Sequence, residues 1–450
     1  MTNEDLNTIA GTRKNVLIVC PRFAPSNAPD MHRVRLALPW LLEFGWTATV
    51  LCVEPQFVPV PQDPILMASL PPGVSIVRTS AIPLSLTRRF GVGSLTLRAF
   101  RFIRAGGDEL LRRQHFDAVY FSTTEFGLFR LGPRWLSRFD VPYVLDYQDP
   151  WVTDYYRRHQ LAPPGGRFKY SVAQAIARLR EPDIVRKAAH ITVVSPAYGE
   201  QLRCRYSLPS ESLTVLPFGG ASTDFELVIR EGVQNPVFTP GDGYQHLLYA
   251  GVAGPYMQKS VTAILMAFRL ALHRDPQRFE RIRLHFVGTD YAANGQARER
   301  IRPIAEELGL SAFVHEQTER IPYLQILRCL MDADALIIPG SNDPSYTASK
   351  IFPCILAKKP LLTVFHKSSP ICEIMKSCRA GVSISFDEDV NTDQLAAEIA
   401  DQWFCSGGFE QYPETDWQAF EPYTARNMAR RLTKVFDGAA MRACGHGTTS

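Results

Sequence analysis

The chain of 450 residues is longer than one ordinary hydrophobic core serves and calls for two or three domains. Apolar residues at 46% and charged residues at 21% exclude a wholly disordered, collagen-like or coiled-coil chain. Lys and Arg number 49 against 45 Asp and Glu, leaving +4, too mild a balance to mark a nucleic-acid binder.

The opening, MTNEDLNTIAGTRKN, is polar and lacks the apolar stretch of a secretory signal. Beyond it, short β-branched runs alternate with longer amphipathic stretches, the pattern of parallel strands joined by crossover helices. Strands are predicted at 15–20 (NVLIVC), 47–53, 117–122, 142–147, 190–195 and 213–217. Between the first two, HRVRLALPWLLEF puts Val34, Leu38, Leu41 and Leu42 on one helical face, with Arg33 and Arg35 near its start. Residues 217–245 are rich in Gly, Pro, Asp and Thr without periodicity and read as a linker. A second series of strands follows at 246–251, 283–288, 312–317, 334–339, 360–365 and 381–386. The tail carries Pro413 and Pro422 and then an amphipathic helix, TARNMARRLTKVF.

The predicted fold is therefore α/β, with two Rossmann-like, doubly wound domains facing a central cleft. The N-terminal domain covers 1–222, the C-terminal domain 223–410, and 411–450 forms helices returning toward the N-terminal domain. Open α/β sheets bind ligands at the carboxyl ends of their strands, so the expected site is shared by both sheets.

Nine cysteines at irregular spacings form no C-x-x-C pair and read as reduced packing residues. Ten histidines are dispersed without a ligand cluster, so no metal site is expected. No run reaches the roughly 18 apolar residues of a bilayer span. The expected location is cytoplasmic, with peripheral contact at the inner face of a membrane left open. That contact would use 88–113, where seven arginines face Asp108 and Glu109 among Leu95, Leu97, Phe100, Phe102 and Ile103. The same segment also reads as a solvated helix face over an apolar core stripe.

The segment IIPGSNDPSYTASKIFPCILAKKPLLTVF (337–365) ends a strand, passes through a polar loop and restarts as a helix near Lys350. Thr347 or Ser349 can cap that helix, and its free N–H groups with Lys350 can hold a phosphate. Gly251 and Gly254 follow a strand and either let the backbone approach phosphates or make an ordinary βα turn. Lys259 is a helix-start lysine. Asp149, in DYQDPW, can hydrogen-bond an acceptor hydroxyl or act as its base, and equally can form the turn that Asp-Pro favours. Glu125 can reach the same end of the sheet or cap a helix. Arg33 can touch an anionic group or form an ion pair on its helix.

The 337–365 segment resembles the corresponding stretch of GT-B glycosyltransferases of the retaining family-4 type. Other landmarks fall in that family's order: Arg33 and Arg35, EFGWTATVL, LDYQDPW, VVSPAYGEQL, TVLPFGGASTDF, YAG with Lys259, HFVG and ADALIIP. The resemblance implies a retaining glycosyltransferase that moves a sugar from a nucleotide-diphosphate sugar to a hydroxyl acceptor, in polysaccharide, glycolipid or envelope glycan synthesis. It assigns the donor to Gly251, Gly254, Lys259, Gly288, Arg320, Ile321, Tyr346, Thr347, Ala348, Ser349 and Lys350. The acceptor falls to Arg33 and Asp149, and catalysis to Asp149, Glu125 and Lys350. No built-in cofactor or metal is implied, and the partners are the nucleotide sugar and a glycan, lipid-linked or other hydroxyl acceptor, not a nucleic acid. The family's paired glutamates are replaced by Ser345 and Pro353, Lys358 stands for a usual glycine, and Val252 stands for a frequent arginine. These departures keep two alternatives in view: a sugar-nucleotide-binding scaffold without transfer activity, and a GT-B sugar-nucleotide epimerase.

Overall fold

The structure, a computed structural model, describes residues 13–153, 163, 166–290, 297–342 and 350–446. Two compact units emerge, one of residues 1–218 with 425–450 and one of 219–424. Each is built on an all-parallel sheet with a Rossmann-like arrangement, in keeping with a GT-B fold.

The first sheet contains β1 (Lys14–Val19), β2 (Trp46–Val53), β3 (Ser75–Thr79), β4 (Ala118–Ser122), β5 (Tyr143–Tyr147), β6 (His190–Val193) and β7 (Leu213–Val215), in the order β3-β2-β1-β4-β5-β6-β7. Its central strands are apolar on both faces because helices cover both sides, as parallel sheets require. Val16, Leu17, Ile18 and Val19 of β1 are all buried, with Ile18 opposite Val50 and Tyr120. Strand β3, at the edge of the sheet, escapes the sequence reading because its apolar run is only two residues long. Only Ile76 and Val77 carry apolar side chains there, and neither is fully buried.

The amphipathic tail is the helix Ala425–His446, which clusters with the first unit. Ala429, Leu432 and Phe436 are buried at helical spacing, and the Phe436 ring meets Trp46 and Tyr120 edge-on with centroids 5.2 Å away in each case. Asp437 accepts from Lys14 Nζ at 2.6 Å and from Trp46 Nε1 at 3.3 Å. Residues 411–424, expected to travel with this helix, cluster instead with the second unit. There Tyr423 stacks on Phe352 at 5.5 Å, and its carbonyl accepts from Gly220 N–H at 2.8 Å.

The second sheet contains β8 (Gln245–Ala250), β9 (Ile282–Val287), β10 (Val314–Gln317), β11 (Ala335–Pro339), β12 (Leu361–His366) and β13 (Val382–Phe386), ordered β10-β9-β8-β11-β12-β13. The helix Gln258–Arg274 packs Val261, Ile264, Leu265 and Phe268 inward at i, i+3, i+4 and i+7. Part of the expected linker is also ordered secondary structure. Helix Ser222–Arg230 buries Leu227 and Val228, and its Asp224 accepts from Tyr323 Oη at 3.0 Å. Only two of its four apolar residues are buried, and Gly- and Pro-rich sequence flanks it, so the helix does not stand out in the sequence.

Three histidines line adjacent strands of this sheet. His246 and His285 share a hydrogen bond of 2.9 Å, His246 Nε2 meets Asp242 Oδ1 at 3.1 Å, and His285 stacks on His315 at 5.2 Å. Burial, then the neighbouring His246, His315 and Arg283, push His285 down to about 3, with Asp242 opposing. A base that resists protonation only when folded stabilises above the unfolded value near 6.5, and that stability is lost as pH falls toward 3. The melting temperature should therefore drop between pH 7 and pH 5, and drop less in His285→Leu. Parallel declines of the two proteins in a pH series of thermal melts would contradict this.

Candidate functional site

Each sheet reverses its winding at one point, between β1 and β4 in the first unit and between β8 and β11 in the second. Loops leaving neighbouring strands diverge there and leave room for a ligand.

In the first unit the loops after β1, β4 and β5 converge on Asp30, a residue 2% exposed. Its Oδ2 accepts from Arg22 Nη2 at 2.7 Å, Thr123 Oγ1 at 3.1 Å and the Thr124 N–H at 3.1 Å. Its Oδ1 is buried and has no hydrogen-bond partner among the described residues. Arg22 also donates to Thr124 Oγ1 and lies 3.8 Å from Glu125. Asp149 follows β5 and is exposed at its surface. Crowding by protein, then the Asp30 carboxylate, raises its carboxyl to about 6, while Arg22 acts in the opposite sense.

Glu125 faces two ways. Its Oε2 accepts from the Thr96 N–H at 2.9 Å and from Thr96 Oγ1 at 2.5 Å, tying down the first turn of helix Leu95–Arg113. Arg33 is fully buried one layer below. Its guanidinium pairs with Asp146 at 3.3 Å, donates to the carbonyls of Leu216 at 2.6 Å and Pro217 at 3.0 Å, and lies over the Phe218 ring. Asp146 is itself held by Ser122 Oγ, Thr192 Oγ1 and Gln148 Nε2. Arg33 thus sits in an internal network that braces the floor beneath Asp30 and Asp149.

In the second unit the turn after β8 begins at Gly251, whose N–H donates to the Val287 carbonyl at 2.8 Å. Gly288, with φ of +71°, donates to the Gln317 carbonyl at 2.8 Å. The turns after β8, β9 and β10 are therefore stitched together, and Gly288 supplies a left-handed backbone beside Arg320. Lys350 lies against Gly251, so closely that a methyl group added there would collide with Lys350 Nζ. The ammonium is 5.7 Å from the centre of the Tyr249 ring. Among the described residues, the charged or titratable groups that act on it are Arg320 and Cys354, with no carboxylate. Desolvation, then the Arg320 charge, lowers Lys350 to about 8.

Lys350 immediately precedes the six-residue helix Ile351–Leu356. Tyr346, Thr347, Ala348 and Ser349 lie outside the described residues. Gly251, Gly288, Arg320 and Lys350 come together as a group, with the half-buried Ile321 beside Arg320 in the turn after β10. Lys259 turns elsewhere: its Nζ donates to the Asp387 carbonyl at 2.7 Å and lies 5.1 Å from the Phe386 ring. Gly254 packs against the Tyr256 ring. Asp30, Arg22 and Tyr249 were not singled out by the sequence. The only signal for the first two is a charged pair in the Pro- and Ala-rich loop CPRFAPSNAPD, directly after a strand. Among the described residues, no three His, Cys, Asp or Glu groups are placed to hold a metal ion.

Residues 32–219 match the family model of the glycosyl transferase 4-like domain. No curated protein matches the chain. HepE of Anabaena, solved with UDP and glucose, shares the fold at a TM-score of 0.56 and 13% identity, over 94% of this chain and 99% of its own. A glycosyltransferase from Rickettsia africae gives 0.54 and 11%, over 94% and 98%. Sucrose-phosphate synthase from Thermosynechococcus elongatus gives 0.55 and 12%, over 94% and 98%. Residues 32–219 thus carry the likeness to the glycosyl transferase 4-like domain, and the chain as a whole shares the two-domain fold of these solved structures.

The network around Arg33 yields a direct expectation. Arg33→Met leaves Asp146 buried without its cation, which costs about 3–5 kcal/mol. Denaturant unfolding should show the first unit weakened by that order. Unchanged stability together with selective loss of acceptor binding would instead place Arg33 in contact with substrate.

Proposed function

We propose that the protein is a retaining glycosyltransferase that takes its sugar from a nucleoside-diphosphate donor held by the second unit and passes it to a hydroxyl acceptor held by the first. The observation that carries this reading is the Lys350 ammonium, desolvated beside Gly251 and Tyr249 and lacking a carboxylate among the described residues. A cation kept in that state is complementary to an anion that arrives with the substrate.

In the transfer, the bond between the anomeric carbon and the β-phosphate oxygen breaks, and its electron pair leaves with the diphosphate. The acceptor oxygen forms its bond to the same face of that carbon, and the acceptor proton passes to the departing phosphate oxygen. Lys350 and Arg320 stabilise the charge that grows on the diphosphate, the dominant electrostatic contribution in such a displacement. Gly251 and Gly288 admit the phosphates close to the backbone. Asp149, when ionised, accepts a hydrogen bond from the acceptor hydroxyl and orients it. Ile321 lies at the edge suited to the nucleobase. The acceptor is a glycan or a lipid-linked hydroxyl compound, placing the enzyme in polysaccharide, glycolipid or envelope glycan synthesis at the cytoplasmic side. HepE, solved with UDP and glucose, supports the choice of donor class.

Lys350→Met separates this role from a structural one. It should weaken UDP binding at least about tenfold, the loss expected when a charge-assisted contact is removed. The melting temperature of the free protein should be unchanged or higher, because a desolvated charge has been deleted. In parallel, Asp149→Asn should keep UDP affinity and lose the rise of kcat/KM for acceptor through pH 6, since a carboxyl raised to about 6 ionises there. UDP affinity that is unchanged in Lys350→Met would refute the donor assignment. Nucleotide binding without transfer to any acceptor would turn the reading to a scaffold, and conversion of the free sugar nucleotide to an epimer.

A further inference from the structure

We propose that the first unit docks on an anionic lipid bilayer through the outward face of helix Arg167–Lys187 and the adjoining turn at residues 86–97. The helix is apolar on two opposite faces. Its inner face buries Ala177, Ile184 and Val185, and is fastened by Tyr147 Oη donating to Glu181 at 2.9 Å and Tyr143 Oη donating to the Ile184 carbonyl at 2.6 Å. Its outer face carries Phe168, Val172, Ile176 and Leu179, all exposed, with Phe168 at 81% and Leu179 at 74%. At 3.6 residues per turn these four fall within roughly 80° of arc, opposite the buried stripe. An apolar stripe that the domain already does without is an interaction surface.

The stripe continues into the neighbouring segment. Lys169 Nζ donates to the Gly91 carbonyl at 3.3 Å, next to Phe90, which is 85% exposed; Leu86 and Leu97 are exposed nearby in sequence. In the helix Leu95–Arg113, Leu95 and Ile103 pack in the core, so of the apolar residues named there Leu97 is the large one offered to solvent.

Charge selects the partner. Residues 84–104 and 167–180 together contain nine Lys and Arg and no Asp or Glu. Eight of the nine are exposed, the exception being Arg98, which donates to the carbonyls of Ile82 and Phe57. On the long helix, Lys169 and Arg180 border one side of the stripe, while Arg167 and Arg178 lie about 80–100° beyond its other edge, by the same helical geometry. Long basic side chains bordering an apolar strip are the arrangement that seats a helix in the interfacial plane of an anionic membrane, with stems buried and charges at the headgroups. No helix among the described residues is long and apolar enough to cross a membrane, so the contact is peripheral.

The docking surface also adjoins the first unit's polar cluster. Thr96, beside Leu97, is held by Glu125, which lies 3.8 Å from Arg22 of the Asp30 cluster. An acceptor anchored in the bilayer would present its hydroxyl head to that cluster. This last step rests on the glycosyl-transfer reading; the membrane contact does not.

The test uses the full chain in flotation with phosphatidylcholine vesicles, with and without about one third phosphatidylglycerol. Wild type should float with the anionic vesicles, remain behind with the neutral ones, and detach at high salt. The triple variant Phe168→Ser, Ile176→Ser, Leu179→Ser and the triple variant Arg88→Gln, Arg89→Gln, Lys169→Gln should each lose at least about tenfold in vesicle affinity. Both should keep wild-type UDP binding and melting temperature, so loss of docking is read apart from loss of the donor site. Wild type that ignores anionic vesicles, or variants that bind them as well as wild type does, would overturn the proposal. So would a dimer seen by light scattering that the serine variant dissolves while vesicles are not bound, since the stripe would then be a subunit interface.

Discussion

A desolvated ammonium with no carboxylate beside it among the described residues is costly, and a sequence free to choose would place methionine or leucine there. Lys350 is kept in that position by the architecture around it. Gly251 leaves the volume its Nζ occupies, the Tyr249 ring offers a π face rather than a charge, and Arg320 adds further positive potential instead of cancelling it. Each choice makes the free protein slightly less stable and makes the site better suited to a polyanion. A desolvated charge left uncompensated by its described neighbours is where function most often overrides folding, and the donor site proposed for the second unit rests on that constraint.

The first unit handles the same problem with the opposite sign. Asp30 is buried and fully engaged on one oxygen, yet its other oxygen is unpartnered among the described residues. Crowding by protein and then the Asp30 charge raise the Asp149 carboxyl to about 6. Below them Arg33 and Asp146 form an internal pair with every strong group occupied. Such a network fixes the strand ends and leaves the upper layer of carboxylates to meet a ligand. In the proposed reading the division of labour is chemical: cations for a leaving diphosphate in one unit, carboxylates for a hydroxyl in the other.

Much of this was legible in the sequence, for identifiable reasons. The central strands announce themselves because parallel strands buried on both faces are nearly continuous apolar runs, as NVLIV and ALIIP are. Strand β3 does not, since an edge strand needs only Ile76 and Val77. Helix Ser222–Arg230 is hidden by its Gly- and Pro-rich surroundings. Lys350, Gly251, Gly288 and Arg320 could be named because a family resemblance supplied the spacing. Lys259 shows the limit of that help: a lysine at the expected place donates to the Asp387 carbonyl instead. Arg33 carries two readings in sequence, ligand contact or ion pair, and only burial beside Asp146 reveals what holds it. The outward stripe of helix Arg167–Lys187 was the hardest to see. Phe168, Val172, Ile176 and Leu179 have the spacing of a core face, and nothing in periodicity says which of two apolar faces the domain will use.

The central claim is that the Lys350 ammonium awaits a diphosphate, and protons report on it directly. With the group lowered to about 8, nearly half of the free protein is uncharged at that pH, and an arriving diphosphate should draw the proton back. Calorimetric titration of UDP at pH 8 in two buffers of different ionisation enthalpy should show uptake of about half a proton per nucleotide, absent in Lys350→Met. Binding with no proton uptake, or with uptake that survives the substitution, would contradict the account.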